Sequence, residues 1–265
     1  MINFILIFVF LFGLIFGSFL NCLIWRLHKN ESMMGRSCCP KCKKQIAWYD
    51  NIPLLSFIIL KGKCRYCKKF ISWQYPIVEL ITGLLFVVAF INNFQIISNF
   101  QFLNITPNLL LFTLRDWFLI CVMIIIFIYD LRWYLILDIV SLPACLIVFL
   151  FNLFLGFSWQ NLLIAGIIGC SFFLSQFIIS KGKWIGGGDI RLGLLMGLAL
   201  GWPNVLVAIL IGYFIGSFVG VGLIVFGKKK WSSQVPLGVF LSTATVITLF
   251  WGEVIVQWYL SFLTF

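Results

Sequence analysis

Long apolar runs alternate with short polar breaks along most of the chain. The breaks lie at about 26–75, 95–112, 130–138, 157–160, 181–189, 201–204 and 228–236. The runs between them approach about 20 residues, the length at which a helix crosses the hydrocarbon core of a bilayer. The alternating short strands of a membrane β-barrel are absent from the sequence. The pattern therefore predicts an all-α polytopic membrane protein with about eight transmembrane helices.

Composition agrees with this class, because 62% of the residues are hydrophobic and only 10% are charged. The net charge of +11 could suit a nucleic-acid partner, but the placement of the basic residues argues otherwise. Successive loops alternate sides of the membrane, and 18 of the 19 Lys and Arg residues fall on one side. The positive-inside rule makes those loops cytoplasmic and places both termini outside. We therefore expect no nucleic-acid partner, and we expect the lysines at 228–230 to meet anionic lipid headgroups.

One polar insert, residues 26–75, separates a first transmembrane helix at 1–25 from a transmembrane core at 76–265. It carries two CxxC pairs separated by 21 residues, formed by Cys39, Cys42, Cys64 and Cys67. Two such pairs are typical of a structural zinc site with four thiolates in a zinc-ribbon-like fold. A metal would also compensate for the small core that about fifty residues can build. Reduced thiols without metal and a disulfide or redox role are the alternatives, and Cys38 could substitute as a ligand.

The chain has only eight acidic residues, and three aspartates fall where apolar runs meet the cytoplasmic side. Asp130 closes the third run, where its own helix dipole opposes a negative charge and lipid makes ionisable groups costly. Pairing with Arg132 is the simplest alternative to a functional role. Asp138 precedes the fourth run and suits an N-cap. Asp189 follows three glycines and suits the N-cap of a helix beginning at Ile190.

Three carboxylates at one depth suggest a site. Two carboxylates held close together share a proton, so one can activate a water while the other protonates a scissile carbonyl. This is aspartic-protease chemistry. Gly186 and Gly188 would let an extended substrate backbone lie beside Asp189. The spacing alone leaves open whether Asp130 or Asp138 is the partner of Asp189.

A fourth carboxylate, Glu79, lies just inside the apolar boundary after Pro76, which suits the first turn of a helix. The helix N-terminus favours a negative charge there, so a capping role and a functional role fit equally well. Two other function classes also compete with the protease. An ion-coupled transporter would use the aspartates as proton relays, but it predicts carboxylates near the bilayer midplane and inverted repeats. A membrane scaffold with a partner-binding zinc insert would leave the position of Asp130 unexplained.

Several short motifs follow one another in a set order over nearly the whole chain. They are Gly17-Ser18-Phe19-Leu20-Asn21 with Arg26, the two CxxC pairs, Asn51-Ile52-Pro53-Leu54, Tyr75-Pro76-Ile77-Val78-Glu79, the Asp130 segment, Gly186-Gly187-Gly188-Asp189 and Pro236-Leu237-Gly238. In this set and order the chain resembles the bacterial type IV prepilin peptidases, also called leader peptidase/N-methyltransferases. A lone G-x-G-D motif would be weak, whereas the whole set is specific.

The resemblance implies an intramembrane aspartyl endopeptidase of the bacterial cytoplasmic membrane. Such enzymes cut the short basic leader from prepilins and pseudopilins on the cytoplasmic side, after a glycine. The two catalytic aspartates of the family map onto Asp130 and Asp189. The residues that we expect to support the site are Asp138, Gly186, Gly188 and Glu79. Many members then methylate the new N-terminus with S-adenosylmethionine, and the four-cysteine insert is typical of these bifunctional members.

The sequence departs from the family pattern at two positions. Leu137 stands where the family usually has proline, which puts the local backbone around Asp138 in question. Arg191 stands where the family often has lysine. Both changes leave the two catalytic carboxylates in place. The segment from Gly17 to Arg26 and Glu79 are candidates for the methyl-donor site.

Overall fold

The computed structural model describes residues 2–32, 34–99, 107–226 and 235–263. Within these residues the regular structure consists of nine α-helices, a 3-10 helix at Trp48–Asn51 and two isolated β-bridges. The α-helices are α1 (Ile2–Lys29), α2 (Leu55–Ile59), α3 (Gln74–Asn99), α4 (Pro107–Trp133), α5 (Asp138–Phe154), α6 (Trp159–Ser180), α7 (Gly187–Leu200), α8 (Asn204–Val225) and α9 (Leu237–Leu263). The predicted all-α class is confirmed.

Six of these helices, α1, α3, α4, α6, α8 and α9, are long and apolar enough to cross a membrane. The apolar helices α5 and α7 are shorter, with 17 and 14 residues. In the described part of the chain, six helices therefore qualify as spans by length and composition, and the shorter helices α5 and α7 occupy the positions of the other two predicted spans. The lysines at 228–230 that are expected to meet lipid headgroups lie outside the described residues.

The chain divides into two compact units, Met1–Gln101 and Phe102–Phe265. The first unit holds α1, the cysteine-rich insert with α2, and α3. The second holds α4 to α9. Helix α3 thus groups with α1 and the insert, and the domain boundaries expected from the sequence stay a prediction.

In the first unit, α1 and α3 pack as an antiparallel pair through small residues. A Cβ added to Gly13 would lie 2.7 Å from the Cα of Gly83, and one added to Gly17 would lie 2.7 Å from the Cα of Glu79. Glycine therefore lets the two backbones approach closely. Farther along the pair, the amide of Asn21 donates to the carbonyl oxygen of Tyr75 over 3.2 Å. Each step of four residues along α1 is matched by a step of four back along α3.

The second unit is built around the short helix α7, which packs against α5, α6 and α9. Its residues Leu192, Leu195 and Met196 are fully buried in the core. A Cβ on Gly197 would overlap the backbone of α6 at Ala165, so a glycine there is required for the close contact. Close packing on three sides fixes the position of α7, and with it the aspartate in its first turn.

A buried polar network holds the opposite end of α7. The guanidinium of Arg115 donates to the carboxylate of Asp116 over 2.8 and 2.6 Å, and to the side-chain oxygen of Asn152 over 3.1 Å. The amide of Asn152 in turn donates to the carbonyl oxygens of Leu198 and Ala199, which no residue farther along α7 can pair. The network thus joins α4 and α5 to the C-terminal end of α7.

Candidate active site

Asp130 lies near the end of α4 and is 6% exposed. Its carboxylate accepts a hydrogen bond from the backbone N–H of Val239 over 3.1 Å and another from the N–H of Gly238. Both N–H groups belong to the first turn of α9, where backbone donors lack partners in their own helix. The charge that the dipole of α4 opposes is therefore placed at the favourable end of another helix. Arg132 lies over the ring of Trp133, 5.9 Å from its centroid, and does not supply the bonds to Asp130.

Gly238 leaves just enough room for the Asp130 carboxylate. A Cβ at position 238 would lie 2.9 Å from Oδ2 of Asp130 and 3.1 Å from Cδ1 of Ile136. The first distance is shorter than real Cβ atoms show, so any side chain at 238 would displace the carboxylate. The close contact between α9 and Asp130 therefore depends on this glycine.

Asp189 is the third residue of α7 and is 7% exposed. Its Oδ2 accepts a hydrogen bond from the backbone N–H of Gly186 over 2.9 Å. The expectation that Asp189 is the N-cap of a helix from Ile190 is wrong, because α7 begins at Gly187 and Gly186 is its N-cap. An acidic residue at the third position reaches back to the N-cap N–H, as in a capping box.

The glycines before Asp189 matter for their lack of a side chain, not for unusual backbone angles. None of them has a positive φ, and a Cβ on Gly187 would meet nothing within 4 Å. A Cβ on Gly188, by contrast, would lie 2.8 Å from Cβ of Ile136. Gly188 is therefore the glycine that allows α7 to begin against the segment between α4 and α5.

The structure brings Asp130 and Asp189 together around one side chain. Ile136 contacts the position of Gly188, next to Asp189, and the position of Gly238, next to Asp130. The two carboxylates are also close enough to interact electrostatically. Two buried carboxylates, one from α4 and one from α7, thus lie near Ile136 and the N-terminus of α9.

Asp138 does not share this arrangement. Its carboxylate forms an ion pair with Arg191, and both side chains are about half exposed. The expected N-cap role is wrong, because Leu137 is the N-cap and Asp138 is the first residue of α5. Leu137 has φ −79°, within the range that a proline ring imposes, so this backbone is compatible with the proline of the family pattern. The ion pair ties the start of α5 to the start of α7.

Glu79 lies in the first unit, where it has its own partners. Its Oε2 accepts a hydrogen bond from the backbone N–H of Leu54 over 2.8 Å, and the hydroxyl of Ser18 bonds the same carboxylate. The Glu79 carboxylate thus holds a loop of the insert against α1 and α3. It does not cap the N-terminus of its own helix, α3.

The cysteine pairs form two similar turns that face each other. In each turn the N–H that follows the second cysteine, from Lys43 or Lys68, donates to the carbonyl oxygen of the first, over 2.8 and 3.0 Å. The sulfur atoms of Cys39, Cys42, Cys64 and Cys67 all lie within 4.8 Å of one another. Backbone N–H bonding, chiefly from Cys67, lowers the pKa of the Cys64 thiol to about 7, which favours the thiolate that binds metal. Cys38 is exposed and stands outside the cluster.

This geometry fits a tetrahedral metal ion. A metal–sulfur distance of about 2.3 Å places the sulfur atoms of a tetrahedral zinc site about 3.8 Å apart. The sulfur atoms of Cys39 and Cys67 are 3.9 Å apart. The insert is therefore consistent with the predicted zinc-ribbon-like fold.

Comparison with known proteins matches both units. The Bacterial Peptidase A24 N-terminal domain matches residues 11–93, and the Type IV leader peptidase family matches residues 117–221. The prepilin leader peptidase/N-methyltransferase of Aeromonas hydrophila is 33% identical, over 96% of this chain and 93% of the relative. The enzymes of that name from Aeromonas salmonicida and Bacillus subtilis are 32% and 29% identical, each over 96% of this chain and over 93% and 97% of their own lengths. No solved structure matches the chain.

The chain belongs to the type IV leader peptidase family. The resemblance seen in the sequence motifs is thereby confirmed, and the chain is an enzyme of a peptidase family whose relatives are also named N-methyltransferases. This membership argues against the transporter and the scaffold. The two family matches fall within the two structural units, 11–93 in the first and 117–221 in the second.

Sequence reasoning missed two residues that shape the candidate peptidase site. Ile136 contacts the positions of Gly188 and Gly238, and the N–H of Val239 donates to Asp130. Gly238 was visible only as part of a family motif. No local pattern joins positions 130 and 239, because the hydrogen bond between them spans 109 residues.

Proposed function

We propose that the chain is an intramembrane aspartyl endopeptidase that removes the basic leader from type IV prepilins and pseudopilins. The observation that carries this proposal is the meeting of Asp130 and Asp189, two buried carboxylates that interact electrostatically beside one helix N-terminus. Two carboxylates that come close together share a proton, which is the starting state of aspartic-protease chemistry.

The reaction needs only the two carboxylates, a water molecule and the substrate peptide. One carboxylate takes a proton from the water, whose oxygen forms a bond to the scissile carbonyl carbon. The other carboxyl group donates its proton to the carbonyl oxygen. The tetrahedral intermediate then breaks its C–N bond. One of its hydroxyl groups gives its proton to the ionised carboxylate while the other carboxyl group protonates the leaving nitrogen, so the two carboxyl groups again share one proton. The backbone N–H groups of Gly238 and Val239 hold Asp130 in place, and that of Gly186 holds Asp189.

The residues predicted to support the site hold the helices and loops around it in place. The ion pair of Asp138 with Arg191 ties α5 to α7, so it fixes the first turn that carries Asp189. Gly186 supplies the N–H that Asp189 accepts, and Gly188 allows the contact with Ile136. Glu79 organises the first unit by holding Leu54.

The enzyme works in the bacterial cytoplasmic membrane, with its catalytic aspartates at the cytoplasmic face. The basis is the positive-inside distribution of Lys and Arg, which puts the polar ends that carry Asp130 and Asp189 on the cytoplasmic side. Basic leaders remain on that side as well, because positive charge opposes translocation.

The second activity is methylation of the new N-terminus with S-adenosylmethionine, as the relatives' names suggest. The donor would supply the methyl group from its sulfonium sulfur: the N–C bond to the amine would form as the S–C bond breaks, the donor would leave as a neutral thioether, and the amine proton would pass to water. Glu79, a candidate for this site from the sequence, already bonds Leu54 and Ser18, so its carboxylate is not open to the donor in this conformation.

The four cysteines hold a structural zinc ion that stabilises the insert. We expect about one zinc per chain by elemental analysis of the purified full chain. Cys64→Ser should lose most of the metal, because three thiolates and a hydroxyl bind zinc less tightly. Cys38→Ser is the matched control and should keep it. Metal-free protein with freely titratable thiols in both pairs would refute the zinc site, and metal loss in Cys38→Ser would reassign a ligand.

The proposed activity is tested with the purified full chain in nanodiscs and a purified prepilin. Mass spectrometry should show a substrate shortened by its leader, and a product heavier by one methyl group only when S-adenosylmethionine is added. An intact prepilin after prolonged incubation with folded, zinc-loaded enzyme would overturn the peptidase proposal. Cleavage without any methylated product would restrict the enzyme to one activity.

A further inference from the structure

The antiparallel register of α1 and α3 fixes how deep the ends of the insert lie. Gly17 packs against Glu79, and Trp25, at the end of the apolar run of α1, is eight residues farther on. At about 1.5 Å per residue, the level of Gly17 and Glu79 is about 12 Å inside the end of that run. Measured along α3, Glu79 lies about 7.5 Å past Gln74, the first residue of its candidate span. Both helices place Glu79 inside the ends of their apolar runs, by about 12 Å along α1 and about 7.5 Å along α3.

The insert reaches this depth through Leu54. The backbone N–H of Leu54 donates to Glu79 over 2.8 Å, so the loop that precedes α2 is at the level of Glu79. Leu54 has φ +59°, a conformation that side chains rarely adopt, and this hydrogen bond holds it there. Irregular backbone at membrane depth requires such internal partners, because lipid offers none. A buried carboxylate that accepts from Ser18 and Leu54 meets that requirement.

The helix that follows this loop turns apolar side chains outward. Ile58 and Ile59 of α2 are 69% and 68% exposed, and Leu55 is also exposed. Ser56, by contrast, is buried and donates to the carbonyl oxygen of Tyr49 over 3.0 Å. This inverted arrangement, with the polar residue inside and the large aliphatic residues outside, suits lipid and not water.

Aromatic and basic residues flank the apolar helix in the order that a membrane interface favours. Trp48 and Trp73 are exposed on either side of α2 in the sequence, and tryptophan concentrates at the headgroup level. Residues 30–73 carry nine basic residues and two acidic ones. One of the acids, Asp50, is neutralised by two hydrogen bonds from Arg65, of 2.7 and 2.6 Å. The segment that contains α2 is therefore strongly positive, which matches anionic headgroups and opposes a basic peptide.

We propose that residues 52–59 form a re-entrant element that enters the lipid leaflet on the insert's side. Leu55, Ile58 and Ile59 contact acyl chains, and the lysines that follow α2 reach anionic phosphate headgroups. Glu79 anchors the element from inside through the Leu54 N–H. The cysteine-rich insert is thus attached to the membrane surface by its own segment as well as by α1 and α3. This inference does not depend on the peptidase activity.

Photo-crosslinking of the full chain tests the proposal. A diazirine amino acid is introduced at position 58 or 59, and the protein is placed in nanodiscs of phosphatidylethanolamine and phosphatidylglycerol. After irradiation, mass spectrometry should find phospholipid adducts on the peptide that contains α2. Ile77, exposed within the span of α3, is the positive control and should give adducts at a similar level. Lys43, exposed on a cysteine turn, should give at least tenfold fewer.

Two outcomes would overturn the proposal. Water adducts alone at positions 58 and 59, as at position 43, would show that α2 faces solvent. Crosslinks from these positions to peptides of residues 102–265, or to an added prepilin, would show that protein covers α2. Glu79→Ala, compared with Glu79→Gln, adds a second readout. Losing the carboxyl acceptor should speed hydrogen exchange of the Leu54 amide at least tenfold, whereas the Gln variant keeps an oxygen that can accept.

Discussion

Replacing either Asp130 or Asp189 with asparagine is expected to slow prepilin cleavage by at least about 10³-fold. Asparagine has nearly the shape of aspartate, and its oxygen can still accept the N–H of Val239 or of Gly186. It cannot take a proton from water or share one with a partner carboxylate. The change therefore removes the proton transfers and leaves the packing intact. The measurement is the initial rate of leader removal by each full-length variant in nanodiscs.

Asp138→Asn is the matched control for these two variants. Asp138 is at the same end of the helices but is about half exposed and paired with Arg191, so its loss should cost no more than about tenfold in rate. Each variant should elute like the wild type and retain zinc, which shows that it is folded. Full cleavage by Asp189→Asn would end the two-aspartate mechanism. Loss of cleavage with Asp138→Asn but not Asp130→Asn would make Asp138 the partner of Asp189.

The helices could be predicted from the sequence because bilayer thickness imposes one length on every apolar run. The four-cysteine cluster was also predictable, since each CxxC turn aims two sulfurs at one ion and needs only local geometry. The spacing of the aspartates did not show which two of them form the site. It left open whether Asp130 or Asp138 is the partner of Asp189, and the family resemblance then assigned Asp130.

The structure supplies the physical reason for that difference. Asp130 points at the free N–H groups of α9, whereas Asp138 points at Arg191. Neither partner is close in sequence, so no helix periodicity or capping rule could have found it. The sequence placed the start of α7 too late for a related reason. Asp189 lies in the first turn of α7 and accepts the N–H of the N-cap residue, Gly186, so it resembles an N-cap without being one.

In the insert, too, a contact between residues distant in sequence could not be predicted. A polar segment with eleven basic residues at 26–75 indicates a soluble loop. The bond between Leu54 and Glu79 joins positions 25 residues apart and carries one part of the loop to the depth of Gly17. Composition averaged over fifty residues could not reveal a short apolar helix of five residues.

Gly238→Ala is expected to reduce the rate of cleavage by about 10²-fold without unfolding the protein. The new methyl group would lie 2.9 Å from Oδ2 of Asp130 and 3.1 Å from Cδ1 of Ile136. The carboxylate must then move away from the first turn of α9, which lengthens its hydrogen bond with the Val239 N–H. Displacement of a catalytic group by a fraction of an ångström is enough to lower the rate, because proton transfer depends steeply on distance.

Gly187→Ala is the matched control, since a Cβ at that position meets nothing within 4 Å. It adds the same methyl group at the start of α7, which begins at the same site, and its rate should equal that of the wild type. The loss in Gly238→Ala should appear in kcat and leave KM nearly unchanged, because the substrate still binds while the carboxylate is misplaced. Equal rates for the two alanine variants would show that the contact between Gly238 and Asp130 does not position the catalytic carboxylate.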